Sequence, residues 1–259
     1  MSDFYLTLPS NSSMDVYPEN TLTHYQTKLP HRIELDGQWE VGLVEIQYPH
    51  NWYNIPADAT RTITVVYVGE DSVTSDDELL PFQFTIPPGY YTPTVLLERI
   101  KAKCLIGSNR TREEDRLIQL EYDEVDRTYV ADTHPYLFDV GPHIASMLGL
   151  GINAIPLGPH RGLTAIDIDP IHSLYVYCDV IESRVVGDVL APLLRIVPVT
   201  GKHGETVMKS YHNAHYIPLQ RRAFDSVEID IRDSTGKKVP FERGTLNVTL
   251  HFRRRRRVL

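Results

Sequence analysis

The sequence predicts an all-β protein, a sandwich or jelly roll with one clear helix. Three features point to it. Apolar residues alternate with polar ones in run after run, as Val227, Ile229 and Ile231 do with Glu228, Asp230 and Arg232. Such alternation puts one face of a strand in a core and the other in water. Turn residues interrupt these runs at intervals of about ten residues, a spacing typical of sandwiches. Only one stretch has a clear helical period, and the 18 prolines and 15 tyrosines suit turns and strands better than helices.

Along the chain, residues 1–19 show no period and read as an extended N-terminal arm. The jelly-roll domain is expected over 20–252 and a basic tail over 253–259. Tyr25, Leu29, Ile33 and Leu35 share a parity and give a first long strand, closed by an Asp36-Gly37 turn. Trp39, Val41 and Leu43 begin a second, whose parity shifts to Val44, Ile46 and Tyr48. Such a shift implies a bulge or burial on both faces. Pro49 and Pro56 bracket an aromatic loop containing Trp52 and Tyr53. Further strands follow at Ile63, Val65 and Tyr67, and at Phe82, Phe84 and Ile86, separated by an acidic loop from Gly69 to Glu78.

The helix is expected over about 93–104, with Thr92 as N-cap and Pro93 as first helical residue; Val95, Leu96 and Ile100 share its apolar face. Residues 105–172 read as inserted loops. Within them Ile118, Leu120 and Tyr122 start a hairpin returning through Tyr129. Pro142 opens a helical turn that packs Ile144, Met147 and Leu148 and stops at Gly149, and Ile152 to Gly162 reads as a Gly/Pro loop. Leu174, Val176, Cys178 and Val180 form another strand, Ser183 to Leu190 a turn, Leu193 to Val199 an apolar run, and Lys202 to Met208 a hairpin tip. Leu246, Val248, Leu250 and Phe252 complete the final strand pair with 227–231.

With 259 residues the chain is long enough to bury a full core. The net charge is −8, and without the run Arg253-Arg254-Arg255-Arg256-Arg257 it is −13, so nucleic-acid contact is expected only locally, at that run. The run also reads as a nuclear-import address. Cys104 and Cys178 are expected to be buried free thiols. No secretory signal and no membrane span are expected.

Catalytic signatures are weak. His212 and His215 are spaced as metal ligands on a helix, but their surroundings read as loop or strand, with no carboxylate or cysteine to complete a site. Gly149-Leu150-Gly151 lacks the third glycine of a dinucleotide loop and reads as helix termination. The acidic loop lacks the ligand spacing of a calcium site. No enzymatic activity, cofactor or metal is expected.

The order of pieces is recognisable. Asn20 to Leu35, the turn at Gly37-Gln38-Trp39, the strand ending at Pro49-His50-Asn51-Trp52-Tyr53, the phrase Ile86-Pro87-Pro88-Gly89-Tyr90-Tyr91, the helix, and Phe138 to Leu150 follow one another. This resembles the penton base or minor capsid protein of adenovirus-like viruses. The blocks Ser173 to Val199 and Phe224 to Phe252 are similar in particular to the minor capsid protein of Polinton (Maverick) elements and virophages. The resemblance implies a single jelly-roll β-sandwich with an inserted region containing a short helix, and a homopentamer of it closing the vertices of an icosahedral capsid, beside a double jelly-roll major capsid protein. Packaged DNA is then the expected partner of Arg253 to Arg257, in a virion assembled in the host cell, with the nucleus one candidate site of assembly. The loop aromatics Trp52, Tyr53, Tyr90 and Tyr91 are candidate subunit-interface residues, because buried aromatics dominate interfaces, with core packing the alternative for each. Arg161-Gly162 is followed by Leu163, so no Arg-Gly-Asp attachment triplet is carried over. The alternative is a jelly-roll module binding carbohydrate or protein outside any capsid.

Overall fold

The computed structural model describes residues 3–57, 59–67, 81–107, 119–132, 136–151, 153–155, 158–169 and 171–255. The acidic loop 69–78, the charged loop 109–115, Ile118, Arg256 and Arg257 lie outside them. In chain order the elements are β1 (Asp3–Pro9), β2 (His24–Glu34), β3 (Trp39–Pro49), β4 (Thr62–Tyr67), β5 (Phe82–Thr85), α1 (Pro93–Gly107), β6 (Gln119–Asp123), β7 (Thr128–Asp132), β8 (Tyr136–Asp139) and α2 (Gly141–Met147). There follow β9 (Ala154–Ile155), β10 (Pro159–Arg161), β11 (Ser173–Cys178), β12 (Arg184–Val186), β13 (Val189–Ala191), β14 (Leu193–Pro198), β15 (Thr206–Ser210), β16 (Ile217–Pro218), β17 (Ala223–Arg232) and β18 (Asn247–Arg254). The chain divides into two units, Met1–Trp52 with Ile171–Leu259, and Tyr53–Pro170.

The first unit is a jelly roll. One sheet has the order β1-β18-β3-β15, with the short β16 also on β3, and the other the order β14-β11-β17-β2. If the eight sandwich strands are counted in chain order, these sheets read first-eighth-third-sixth and second-seventh-fourth-fifth. Every connection except fourth to fifth therefore crosses from one sheet to the other, which is the wrapped path of this architecture. The two terminal runs, expected to pair, lie in opposite sheets: β17 pairs with β2 and β11, whereas β18 pairs with β1 and β3. Period two reports which face is buried and is silent about which strand lies alongside.

The expected N-terminal arm is corrected. It begins with β1, antiparallel to β18 from Asp3 opposite Arg253 to Pro9 opposite Asn247. This is the first strand of the sandwich. Phe4, Leu6 and Leu8 alternate with Tyr5 and Thr7, and burial alternates with them, so a short period is present, although only Leu8 is fully buried. The parity shift in β3 is a bulge: Thr249 faces Glu45 and Leu250 faces Leu43, so Val44 is the extra residue. The inward residues of both sheets form one core that includes Leu8, Tyr25, Leu43, Tyr48, Val176, Ile229 and Phe252. Each such aliphatic or aromatic side chain contributes about 1.5–3 kcal/mol when removed from water. The Tyr25 hydroxyl donates to the Leu8 carbonyl at 3.0 Å, so its polar end is satisfied inside the core.

The second unit enters between β3 and β11 and has its own core, with Ile63, Leu96, Ile100, Tyr129, Phe138 and Ile144 among its members. It holds a sheet of order β5-β4-β8-β9, another of order β10-β7-β6, and both helices. Within residues 105–172, assigned as inserted loops, β6–β7 and α2 stand at the expected hairpin and helical turn, whereas β8 is not expected and the Gly/Pro segment 152–162 carries β9 and β10. β8, β9 and β10 are two to four residues long, too short to show a period. Thr92 caps α1, its Oγ1 accepting the Val95 amide at 3.3 Å. The helix buries Leu96, Leu97 and Ile100 and leaves Val95 48% exposed, so the expected apolar face is shifted by one position. In the first unit, the expected turn at 183–190 contains hairpin β12–β13, and the expected hairpin tip at 202–208 runs into β15.

Candidate interaction site at the C-terminal arginines

The arginine run starts inside the jelly roll. β18 lies between β1 and β3, and its last residues remain in the ladder, with Arg253 opposite Asp3 and Glu40 and Arg254 opposite Trp39. Arg253 donates through Nε to Glu40 Oε1 at 2.7 Å. Its guanidinium carbon stands 3.4 Å from the centre of the Tyr216 ring. The Tyr216 hydroxyl in turn lies 2.7 Å from His251 Nδ1. Arg253 is therefore matched to a carboxylate and an aromatic face, a role in holding the sheet end together. Arg254 lies over Gly37, where a Cβ would stand 3.1 Å from its Nη2. Gly37 also has φ +86°, so glycine serves both the turn and this close approach. The Arg255 amide donates to the Gln38 carbonyl at 2.9 Å. The basic tail assigned to 253–259 is thus, over its first three residues, anchored backbone carrying exposed side chains.

Of the four aromatics weighed between interface and core, two are core residues. Trp52 is fully buried, stacked on His50 at 4.3 Å between ring centres and edge-on to Phe241 at 5.6 Å. Tyr91 is buried in the second unit. Its amide donates to Asn54 Oδ1 at 2.9 Å, its carbonyl accepts from Asn54 Nδ2 at 2.8 Å, and its hydroxyl donates to the Pro87 carbonyl at 2.8 Å. Burial within the chain removes both from contact with a neighbour. Tyr53 and Tyr90 are half-buried, and the Tyr90 hydroxyl donates to Asp169 Oδ2 at 3.3 Å. Hairpin β12–β13 carries a group of exposed apolar residues, with Val185 75% and Leu190 71% exposed. Gly187-Asp188 between two apolar pairs was the sequence signal for that hairpin.

Among the described residues no group of three or more His, Cys, Asp or Glu is arranged to hold a metal ion. Cys178 is a buried free thiol, and burial pushes its pKa up to about 12, so it is held as the unreactive thiol. On the outer face beside it, Asp179 Oδ1 accepts the Glu228 amide at 2.8 Å, Asp179 Oδ2 pairs with Arg221 at 2.8 Å, and Glu228 Oε1 lies 2.9 Å from His24 Nε2. Burial, reinforced by the neighbouring Glu228, raises the Asp179 pKa, while the Glu228 amide and Arg221 oppose the shift. Arg161, the first residue of the Arg-Gly-Leu triplet, pairs with Asp123 at 2.9 Å. These are structural polar networks on strand ends.

No protein-family model matches the sequence, and no curated protein is similar to it in sequence. The fold is nevertheless shared along its whole length. The structure is similar to that of the mavirus penton protein, with a TM-score of 0.53 and 9% identity over 96% of this chain and 99% of that one. It is similar also to a chain in the cryo-EM structure of the Sputnik virophage, with a TM-score of 0.51 and 11% identity over 98% of each chain. Helices long and apolar enough to cross a membrane do not occur among the described residues. The chain therefore has the fold of the mavirus penton protein, jelly roll and inserted unit together.

Proposed function

We propose that this chain is the penton, or minor capsid protein, of an icosahedral capsid belonging to a virophage-like or Polinton-like DNA element. Five copies close each vertex, beside a double jelly-roll major capsid protein, and the role is structural rather than catalytic. The observation that carries the reading is the pairing of an eight-strand jelly roll with a second folded unit inserted between its third and fourth strands. A chain of this organisation, similar over nearly its full length, is named as the mavirus penton protein.

A ring needs a head-to-tail contact repeated at a fixed rotation. Tyr53, Tyr90 and the exposed apolar residues of β12–β13 supply surface that a neighbouring copy would cover. The terminal arginines contact packaged DNA, because they concentrate positive charge on an otherwise acidic body. Native mass measurement tests the ring. Five chains of 29.6 kDa give a species of about 148 kDa. A protein that stays at the single-chain mass, alone and when co-expressed with the major capsid protein of the same element, would overturn the reading. A fluorescent protein fused to residues 253–259 separates DNA contact from nuclear import.

A further inference from the structure

Three separate segments meet at one cavity at an end of the jelly roll, and two of them bring arginines. The cavity measures about 120 Å³ and is lined by Gly37, Gln38, Glu182, Arg221, Arg222 and Arg255, among others. The β2–β3 turn provides Gly37 and Gln38, the segment between β16 and β17 provides Arg221 and Arg222, and the continuation of β18 provides Arg255. Backbone hydrogen bonds fix each segment. The Arg222 carbonyl accepts the Leu35 amide at 2.8 Å, and the Arg255 amide donates to the Gln38 carbonyl at 2.9 Å.

The charges do not balance. Arg221 is matched to Asp179 at 2.8 Å. Arg222 and Arg255 are exposed, and no carboxylate among the described residues pairs with either. Glu182 is the one acidic residue in the lining. The backbone bonds thus keep two arginines without a paired carboxylate at one cavity, where like charges repel and Glu182 alone is acidic. An oxyanion that accepts from both relieves that repulsion, and the planar fork of arginine matches the oxygens of a phosphate. The run continues in sequence from the cavity edge through Arg256 and Arg257, so further cationic side chains follow the first. That continuation favours a linear polyphosphate chain over a free anion.

We propose that this cavity seats one phosphodiester group of a nucleic-acid backbone between Arg222 and Arg255, as the folded anchor of the contact that the terminal arginines make. The inference rests on the DNA reading given above and adds a site within the sandwich, including a residue, Arg222, outside the terminal run. The contact is to backbone phosphate and carries no base preference.

The test uses the full chain and a fluorescently labelled short DNA duplex, with affinity measured across a salt series. Each lost phosphate contact lowers the slope of log affinity against log salt by about 0.9 for duplex DNA. The double variant R222Q/R255Q is expected to lose about one such increment, equally for unrelated duplex sequences, while R256Q/R257Q still shows the anchored contact. Both altered side chains are exposed, so folding is retained, and circular dichroism melting verifies this. An unchanged slope in R222Q/R255Q, with a flattened slope in R256Q/R257Q, overturns the cavity while leaving the DNA reading intact. Absence of duplex binding by the wild-type chain at low salt overturns both. Binding to vesicles containing phosphatidylserine, with none to the duplex, also overturns the proposal by assigning the arginines to a lipid phosphate.

Discussion

At the scale of single residues, Phe252 ties the jelly-roll core to its C-terminal end. It is fully buried, stacked on Phe4 at 4.8 Å and near Phe224 at 5.8 Å. Phe252→Ala is expected to cost about 3–5 kcal/mol in a denaturant titration, because the cavity opens between two sheets that cannot both collapse onto it. By contrast, Arg253 and Glu40 form a pair whose arginine is half exposed, so Arg253→Gln should change stability by under about 1 kcal/mol. Asp179 provides a test in pH. Its pKa is raised in the folded state by burial, so the native protein holds this proton more tightly than the unfolded chain does. The corresponding stability is present below the ordinary carboxylate range and is lost as pH rises through the raised value. Asp179→Asn, which keeps an oxygen to accept the Glu228 amide, should therefore become more stable relative to wild type as pH increases from about 3 to about 7. A difference between the two proteins that stays constant with pH would contradict the raised value.

At the scale of elements, β1 is the decisive strand. It covers one side of β18 along seven residue pairs and contributes Leu8 to the core and Phe4 to the aromatic stack. Deleting residues 1–9 should expose a long edge of unpaired amides and carbonyls on β18, an invitation to aggregate. Loss of soluble yield, or a stability drop exceeding the roughly 1.5–3 kcal/mol expected for Leu8 alone, is the anticipated result. A truncated protein as stable as the full chain would mean that the segment is an arm after all. The β3 bulge is the opposite case, an irregularity legible in advance. Two apolar parities within one strand, Val41 and Leu43 then Ile46 and Tyr48, require an inserted residue if both sets are to face one core, and Val44 is that residue.

At the scale of the whole molecule, two cores share one chain. Each unit has its own set of buried residues, so each is expected to open as its own cooperative block. Ile100→Ala should cost about 2–5 kcal/mol within the second unit. Hydrogen exchange should then accelerate across residues 53–170 while β17 and β18 keep their protection. Equal acceleration in both units would show a single cooperative block. The C-terminal arginines also change meaning at this scale. As sequence they are a run of five charges; in the fold Arg253 is matched, Arg254 lies over a turn glycine, and Arg255 meets Arg221 and Arg222 from another segment.

The linear sequence determined the all-β class, the position and capping of the main helix, the buried parity of nearly every long strand, and the absence of a catalytic signature. These are local properties, set by the period of apolar residues and by turn and cap chemistry within a few positions. Tertiary structure alone decided that residues 3–9 pair with β18 as a sandwich strand, that the two terminal strands belong to opposite sheets, that Trp52 and Tyr91 face inward, and that 105–172 includes much of a second folded unit. Each of those depends on hydrogen bonds or burial between residues far apart in the chain, and alternation along one strand contains no record of its neighbour.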